Sequence, residues 1–166
     1  FSKSMRNFQN GTFKANFTSS EWFAARAEGY VLTLNYTLPN YVDGSNTTSV
    51  VVNPIEGDII PDELTMPEDD TIIVKWSNTF DVRVAVNDIY RGNVPIQNAD
   101  VFYLWSGYTT LHPLTFYDDS DDYFVVVNAG EVPAGIYELY IRVINENYTI
   151  SDYVLDITIE TVDTDL

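Results

Sequence analysis

Apolar and polar residues alternate along most of this chain, and the alternation is clearest near its C-terminus. In residues 137–143 and again in residues 153–160, every second residue is apolar and most of the residues between them are polar. A period of two with one polar face is typical of antiparallel strands that pack on a core from one side. The loop between them contains Asn145 and Asn147, so the stretch predicts a β-hairpin.

The same alternation predicts strands over most of the remaining chain. They cover residues 12–18, 30–37, 49–53, 71–76, 80–87, 99–105, 111–117 and 123–128. Turn signals lie between them, and the sequence is rich in the β-branched and aromatic residues that suit a pleated surface. Residues 19–29 are predicted as a single helical turn. The sequence therefore predicts an all-β fold, most simply an antiparallel β-sandwich.

Residues 11–55 resemble residues 121–159 in the order of their strands and the lengths of their loops. The pattern predicts an internal repeat, although two β-meanders could share it without common origin. The second copy has strands before it, whereas the first has none, so the first is predicted to be a partial domain with an exposed apolar face. The candidate subunit-interface residues on it are Phe13, Phe17, Trp22, Phe23, Leu32 and Leu34.

Three arrangements would cover that face, and the sequence leaves all three open. The chain could belong to a longer tandem array, its N-terminal half could pack on the second domain, or another subunit could donate the missing strands. The predicted domains are a partial or strand-complemented β-domain at 1–60, an acidic linker with prolines at 61–70, a sandwich at 71–160 and a tail at 161–166.

The net charge of −17 narrows the classes of partner. Nucleic acid is not expected, because phosphate contacts need clustered lysine and arginine. No apolar run approaches the length of a membrane span, so no membrane-spanning segment is expected either. The expected partners are copies of the chain itself or neighbouring repeats.

Five Asn-X-Ser/Thr sequons indicate an extracellular or cell-surface location. They begin at Asn10, Asn16, Asn35, Asn46 and Asn147. Each falls on a polar strand face or in a predicted turn, where a bulky glycan can reach solvent. The sequence therefore predicts N-linked glycans. It contains no cysteine and so no disulfide, which a domain with a large core can do without.

Two acidic clusters are candidate Ca²⁺ sites. They comprise Asp118, Asp119, Asp121 and Asp122 in a turn, and Glu68, Asp69 and Asp70 in the predicted linker. Ca²⁺ takes six to eight oxygen ligands, which such loops can supply. A solvated acidic loop explains both clusters without a metal ion and is the favoured interpretation in so acidic a chain. No cofactor is required by the sequence.

No catalytic residue is predicted, and the chain is not expected to be an enzyme. The single histidine, His112, precedes a proline in a predicted edge strand, and there is no cysteine to act as a nucleophile. Phosphate-binding loops, zinc-protease motifs and nucleophile elbows are also absent from the sequence.

Three segments carry a resemblance to a known family: the alternating strand at 80–86, NVPIQNADVFYLW at 93–105 and GEVPAGIYELYIRV at 130–143. On these segments, residues 67–160 resemble the immunoglobulin-like repeats of bacterial and archaeal surface proteins, and residues 11–53 resemble part of a second repeat. The resemblance implies an immunoglobulin-like sandwich in a surface adhesin, an S-layer-associated protein or an archaeal surface filament.

The function expected on these grounds is a structural subunit of an extracellular filament or array. Its units would be joined by intermolecular strand pairing of the donor-strand type and coated with glycans. The alternative is an adhesin-type or carbohydrate-binding module of a longer surface protein. That module would use either the loops at one end of the sandwich or its tyrosine-rich faces, with Tyr103, Tyr108, Tyr117 and Tyr123 as candidates.

Overall fold

A computed structural model describes residues 4–7, 13–14, 16, 26–37, 42–62 and 66–162. Over these residues the chain is nearly all β, and its only helical segments are 3-10 turns at Ile89–Arg91 and Ala129–Glu131. The prediction of an all-β fold is confirmed. The chain divides into two compact units, Phe1–Pro54 and Ile55–Leu166.

The first unit contains two antiparallel strand pairs. The short pair joins β1 (Arg6–Asn7) to β2 (Phe13–Lys14). The long pair, called here the ribbon, joins β3 (Arg26–Tyr36) to β4 (Gly44–Val52). Within the described part of the chain, no third strand pairs with the ribbon.

Two glycines shape the ribbon. Gly29 lies in a bulge of β3 with φ of +74°, and a Cβ atom there would stand 2.9 Å from the Val50 carbonyl oxygen. Gly44 lies under the ring of Tyr36, which would have to move to admit a Cβ atom. The bulge interrupts the edge of β3, whereas β4 stays in unbroken register from Gly44 to Val50.

The second unit is built from eleven strands. They are β5 (Ile55–Pro61), β6 (Thr71–Lys75), β7 (Thr79–Asp88), β8 (Val94–Pro95), β9 (Asp100–Trp105), β10 (His112–Pro113), β11 (Thr115–Tyr117), β12 (Asp122–Asn128), β13 (Gly135–Ile144), β14 (Tyr148–Thr149) and β15 (Tyr153–Glu160).

These strands form two sheets that share one core. One sheet has the order β10-β9-β13-β15-β6, and the other has the order β11-β12-β7-β5-β14, with β8 added beside β7. Most pairs are antiparallel, but β6 runs parallel to β15 and β14 runs parallel to β5. The core residues alternate along the long strands as predicted: Val82, Val84, Val86, Leu139, Ile141, Leu155 and Ile157 are fully buried.

The chain enters and leaves the second unit at opposite ends of β7. Gly57, near the start of β5, pairs with Asp88 at the end of β7. Glu160, at the end of β15, pairs with Lys75, which immediately precedes the turn into the start of β7. Units of this kind can therefore be joined end to end without the chain turning back.

The observed division of the chain differs from the predicted boundaries at 60 and 70. Residues 55–61 form β5, which pairs with β7 inside the second unit, so the division falls after Pro54. Ile55, Gly57 and Ile59 face inward along this strand. The alternation of this strand is not evident in the sequence, because a glycine occupies one inward position and because carboxylates and a proline surround the others.

Candidate functional site

The outer edge of β4 is long, regular and uncharged. Residues 30–36 and 44–52 contain no Asp, Glu, Lys or Arg, although the chain as a whole has 25 carboxylate and 8 basic side chains. Proteins usually protect an exposed edge with charges, prolines, bulges or a short strand. β4 has none of these features over nine residues, and Val51 is 55% exposed on it. Such an edge is a template for pairing with another strand.

The structure describes only part of the predicted interface on the first unit. Leu32 and Leu34 lie on one face of β3 and are half-buried. Phe13 forms part of β2, but its side chain is outside the described set. Phe17, Trp22 and Phe23 lie outside the described residues, as does the predicted helical turn over most of its length.

The second unit presents its own free edge at β6, the last strand of the five-stranded sheet. The Asp156 N–H donates to the Asp70 carbonyl, and the Trp76 N–H donates to the Glu160 carbonyl, both at 2.8 Å. In a parallel ladder, these two bonds mean that the even-numbered residues of β6 direct their backbone N–H and C=O groups toward β15. Ile73 therefore directs its N–H and C=O away from the sheet, and its side chain is 67% exposed.

This free edge is short and bounded. The Thr71 N–H is 3.4 Å from the Asp69 carboxylate, and the Lys75 carbonyl accepts from the Asn78 N–H at 3.0 Å. Among the described residues, the backbone groups of this edge that have no partner are the Thr71 carbonyl, the N–H and C=O of Ile73 and the Lys75 N–H. They form the frame that one additional strand of about five residues would need.

A groove of about 440 Å³, called here the edge groove, runs beside β6. It is lined by Met66, Ile72 and Phe80, with Thr71 and Asp81 at its rim. β5 pairs with β7 only between Val84 and Asp88, so the first residues of β7 lie beyond it. The edge groove is lined by residues of β6, from the five-stranded sheet, and by the start of β7, from the other sheet. No sequence pattern marks this site, because the order of strands in a sheet is a non-local property.

The four described sequon asparagines are all exposed: Asn16, Asn35, Asn46 and Asn147. Asn10 lies outside the described residues. Asn35 pairs with Ser45, and Asn46 pairs with Leu34, so Asn35 and Asn46 project from opposite faces of the ribbon. Glycosylation of these residues stays a prediction that their exposure allows.

Several of the carboxylates predicted as calcium ligands already have partners within the second unit. Asp121 accepts from the Gln97 amide at 2.8 Å, and Asp122 accepts from the Ser120 hydroxyl at 2.7 Å. Asp70 accepts from the Tyr153 hydroxyl. Among the described residues, no three His, Asp or Glu side chains form a group able to hold a metal ion. Calcium binding stays a prediction, and a rise in melting temperature in millimolar Ca²⁺ is its test.

A second groove, called here the end groove, lies where β6 turns into β7. Its volume is about 710 Å³, and it is lined in part by Trp76, Glu131, Pro133 and Val162. Trp76 is 44% exposed, and its indole N–H donates to the Val132 carbonyl at 3.1 Å. Alternation along residues 71–76 places Trp76 in phase with core positions, but Trp76 is not a core residue, because the strand ends at Lys75 and the ring lies in the following turn.

Buried aromatic donors fix the carboxylate of Glu131 at the rim of the end groove. The Tyr103 hydroxyl lies 2.9 Å from Oε1, and the Trp105 indole nitrogen lies 3.0 Å from Oε2. Tyr103 and Tyr123 are buried, so they are not the exposed tyrosines of the predicted carbohydrate surface, whereas Tyr108 and Tyr117 are exposed. No sequence signal marks Glu131, because its partners lie on β9.

Alkaline pH should destabilise the second unit through Tyr103, which is buried, and Tyr153, which is half-buried. Burial, together with a hydrogen bond to Glu131 for Tyr103 and to Asp70 for Tyr153, raises the pKa of both hydroxyls. Their folded pKa values exceed the value of about 10 expected in the unfolded chain, so their stabilisation is complete below that pH and is lost above it. The free energy of unfolding, measured by urea denaturation, should fall from about pH 10 upward.

The control for this prediction is an exposed tyrosine. Tyr103→Phe or Tyr153→Phe should reduce the alkaline slope, whereas Tyr108→Phe should leave it unchanged, since Tyr108 is exposed. A free energy of unfolding that stays constant from about pH 10 to about pH 11.5 would contradict the raised pKa of these two tyrosines.

His112 packs against an aromatic side chain of the neighbouring strand. Its ring is half-buried and stacks on Tyr103 with the centroids 4.6 Å apart.

Within the part of the chain that the structure describes, no helix has the length and apolar character needed to cross a membrane. Comparison of the chain with protein-family models, curated proteins and solved structures finds no match.

Proposed function

We propose that this chain is a non-enzymatic structural subunit of an extracellular surface filament or array, whose units are joined by intermolecular strand pairing. The observation that carries the proposal is the edge of β4, which is nine residues long and free of charge, proline and bulges in a chain of net charge −17. Monomeric proteins usually protect such an edge, and none of the described residues does so here.

The architecture of the second unit supports the same proposal. Entry and exit at opposite ends of β7 suit a linear series of units. The strand order, with β5 beside β7 in one sheet and β6 parallel to β15 in the other, fits an immunoglobulin-like sandwich whose first strand is divided between both sheets. A repeated head-to-tail contact between such units forms an open filament when the rotation between them does not close.

Exposed sequons and negative charge fit an extracellular surface. Glycans on Asn35 and Asn46 would occupy both faces of the ribbon near its hairpin end, because both residues lie within the first pairs of the hairpin. The opposite end of the ribbon, with Val50 and Val52, would stay accessible for pairing. The glycans would thus restrict where another strand can approach.

Assembly of the purified chain tests the proposal. Val51→Lys places a charge on the β4 strand and should abolish concentration-dependent assembly, measured by light scattering and negative-stain microscopy. Val126→Lys is the matched control, because Val126 is 51% exposed on β12 in the second unit and the change in net charge is the same. The control should assemble like the unmodified chain.

Two results would refute this proposal. One is a chain that stays monomeric at every concentration tested. The other is equal assembly of the Val51→Lys and Val126→Lys variants, which would show that the β4 strand has no part in it.

The end groove favours a second candidate function, a carbohydrate-binding module. An exposed indole held by its own hydrogen bond, beside the fixed carboxylate of Glu131, offers a stacking surface and a hydroxyl acceptor for a neutral sugar. Trp76→Ala should then abolish binding of a soluble β-glucan in calorimetry. Tyr108→Ala, which alters an equally exposed ring outside the groove, should not. Absence of binding by the unmodified chain would remove this candidate for that class of glycan.

A further inference from the structure

We infer that the β4 strand of one copy docks on the free edge of β6 in a second copy and lays alternate side chains into the edge groove. The inference rests on the proposed function and names the two surfaces that join the subunits. The open backbone groups of Thr71, Ile73 and Lys75 supply the hydrogen-bonding frame. Met66, Ile72 and Phe80 supply the apolar floor.

Charge selects β4 as the occupant. The edge of β6 is flanked by carboxylates at Glu68, Asp69 and Asp81, so an incoming acidic strand would be repelled. β4 carries no charge and presents Val50 and Val52 on one face and Val51 on the other. Its burial against the groove would therefore bring no carboxylate into an apolar setting.

The other described edges are poorer occupants, and four of them, β1, β2, β8 and β14, have only two residues each. The outer edge of β3 is interrupted by the bulge between Arg26 and Tyr30. β10 has two residues, one of them Pro113. β11 has three residues and adjoins the turn that carries Asp118 and Asp119. Only β4 exceeds the five residues of β6 without such an interruption.

The contact is between different surfaces and therefore propagates. The donating strand belongs to the first unit, and the accepting edge belongs to the second. Each copy that donates β4 to a neighbour still offers its own β6 to another copy. A heterologous contact of this kind extends until the supply of subunits ends, unless the rotation closes a ring.

Cysteine cross-linking tests the contact directly, because the chain contains no cysteine of its own. Ile73→Cys is mixed in turn with Thr48→Cys, Ser49→Cys and Val50→Cys under mild oxidation, so that any disulfide between the two variants joins separate copies. At least one mixture should yield about ten times more mixed dimer than the same mixture made with Ile136→Cys in place of Ile73→Cys. Cβ atoms on adjacent strands lie within disulfide reach.

Ile136→Cys is the control for Ile73→Cys. Ile136, Thr158 and Ile73 form one row across β13, β15 and β6, so the two isoleucines share a row and differ in their distance from the free edge. Both are exposed, at 82% and 67%. A strand added beside β6 lies about 14 Å from β13, which no disulfide can span.

A backbone variant provides a second, independent measurement. Ile73→Pro removes the outward N–H of the edge and leaves the bonds of Ile72 and Val74 to β15 in place. Assembly should weaken about tenfold relative to Ile73→Thr, which keeps the N–H. Equal assembly of these two folded variants would overturn the inference.

The outcomes separate this inference from the proposed function. Assembly without any β4–β6 cross-link overturns the docking site and leaves the filament proposal standing. Absence of both assembly and cross-links overturns both. A disulfide that forms only within a monomer carrying Ser49→Cys and Ile73→Cys together would show that the strand pairs inside its own chain, which also overturns the inference.

Discussion

Ile141→Ala is expected to lower the free energy of unfolding of the second unit by about 4 kcal/mol. Ile141 is fully buried at the centre of the five-stranded sheet, where it pairs with Tyr103 on β9 and with Tyr153 on β15. Truncation removes the transfer free energy of three carbon atoms and leaves a cavity that these rings cannot fill without moving. Urea denaturation followed by tyrosine and tryptophan fluorescence measures the loss.

Ile136→Ala is the matched control, because it makes the same substitution in the same strand. The Ile136 side chain is 82% exposed, so its truncation should change the free energy of unfolding by less than about 0.5 kcal/mol. Similar losses for both variants would contradict the assignment of Ile141 to the core face of β13 and of Ile136 to its solvent face.

Asp88→Ala is expected to cost about 3 kcal/mol of stability. Asp88 is 1% exposed at the end of β7, where its Oδ2 accepts from the Tyr148 hydroxyl at 3.0 Å. Its Oδ1 accepts from the Arg91 N–H at 3.1 Å and caps the 3-10 turn, and the Arg91 guanidinium lies 3.5 Å from Oδ2. Removal of the buried carboxylate takes away the shared acceptor of these donors and leaves the half-buried Tyr148 hydroxyl and the Arg91 N–H without their partner.

Two variants check the origin of this effect. Asp81→Ala alters an exposed carboxylate of the same strand and should leave stability within about 0.5 kcal/mol of the unmodified chain. Tyr148→Phe should cost about 1 kcal/mol, because it removes only one of the bonds. A loss from Asp88→Ala no larger than that from Asp81→Ala would show that the carboxylate network does not hold β7 to β14.

The period-two pattern was sufficient to predict most strands of the second unit and their inward faces. Val82, Val84 and Val86 are buried as the alternation requires, as are Leu155 and Ile157. This success has a local cause, since the two faces of a strand follow from the backbone itself. Trp76 shows the limit of the same reasoning, because periodicity cannot tell where a strand ends and its in-phase residues leave the core.

Of the two candidate interaction surfaces, one is evident in the sequence and the other is not. The uncharged run in residues 44–52 is a property of the sequence and marks β4 as an unprotected strand. The edge of β6 and its groove are not readable from the sequence. They exist because β6 pairs with β15, eighty-five residues further along the chain (156 − 71), and because β5 stops beside Val84.

The sequence alone determined the all-β class, the alternating core and the acidic, sequon-bearing surface, because each depends on residue type and near neighbours. Only the tertiary structure decided that residues 55–61 belong to the second unit and that Glu131 is held by two buried rings. It also decided which strand is left at the edge of each sheet. Pairing between distant strands depends on the packing of the whole core, and no local pattern records it.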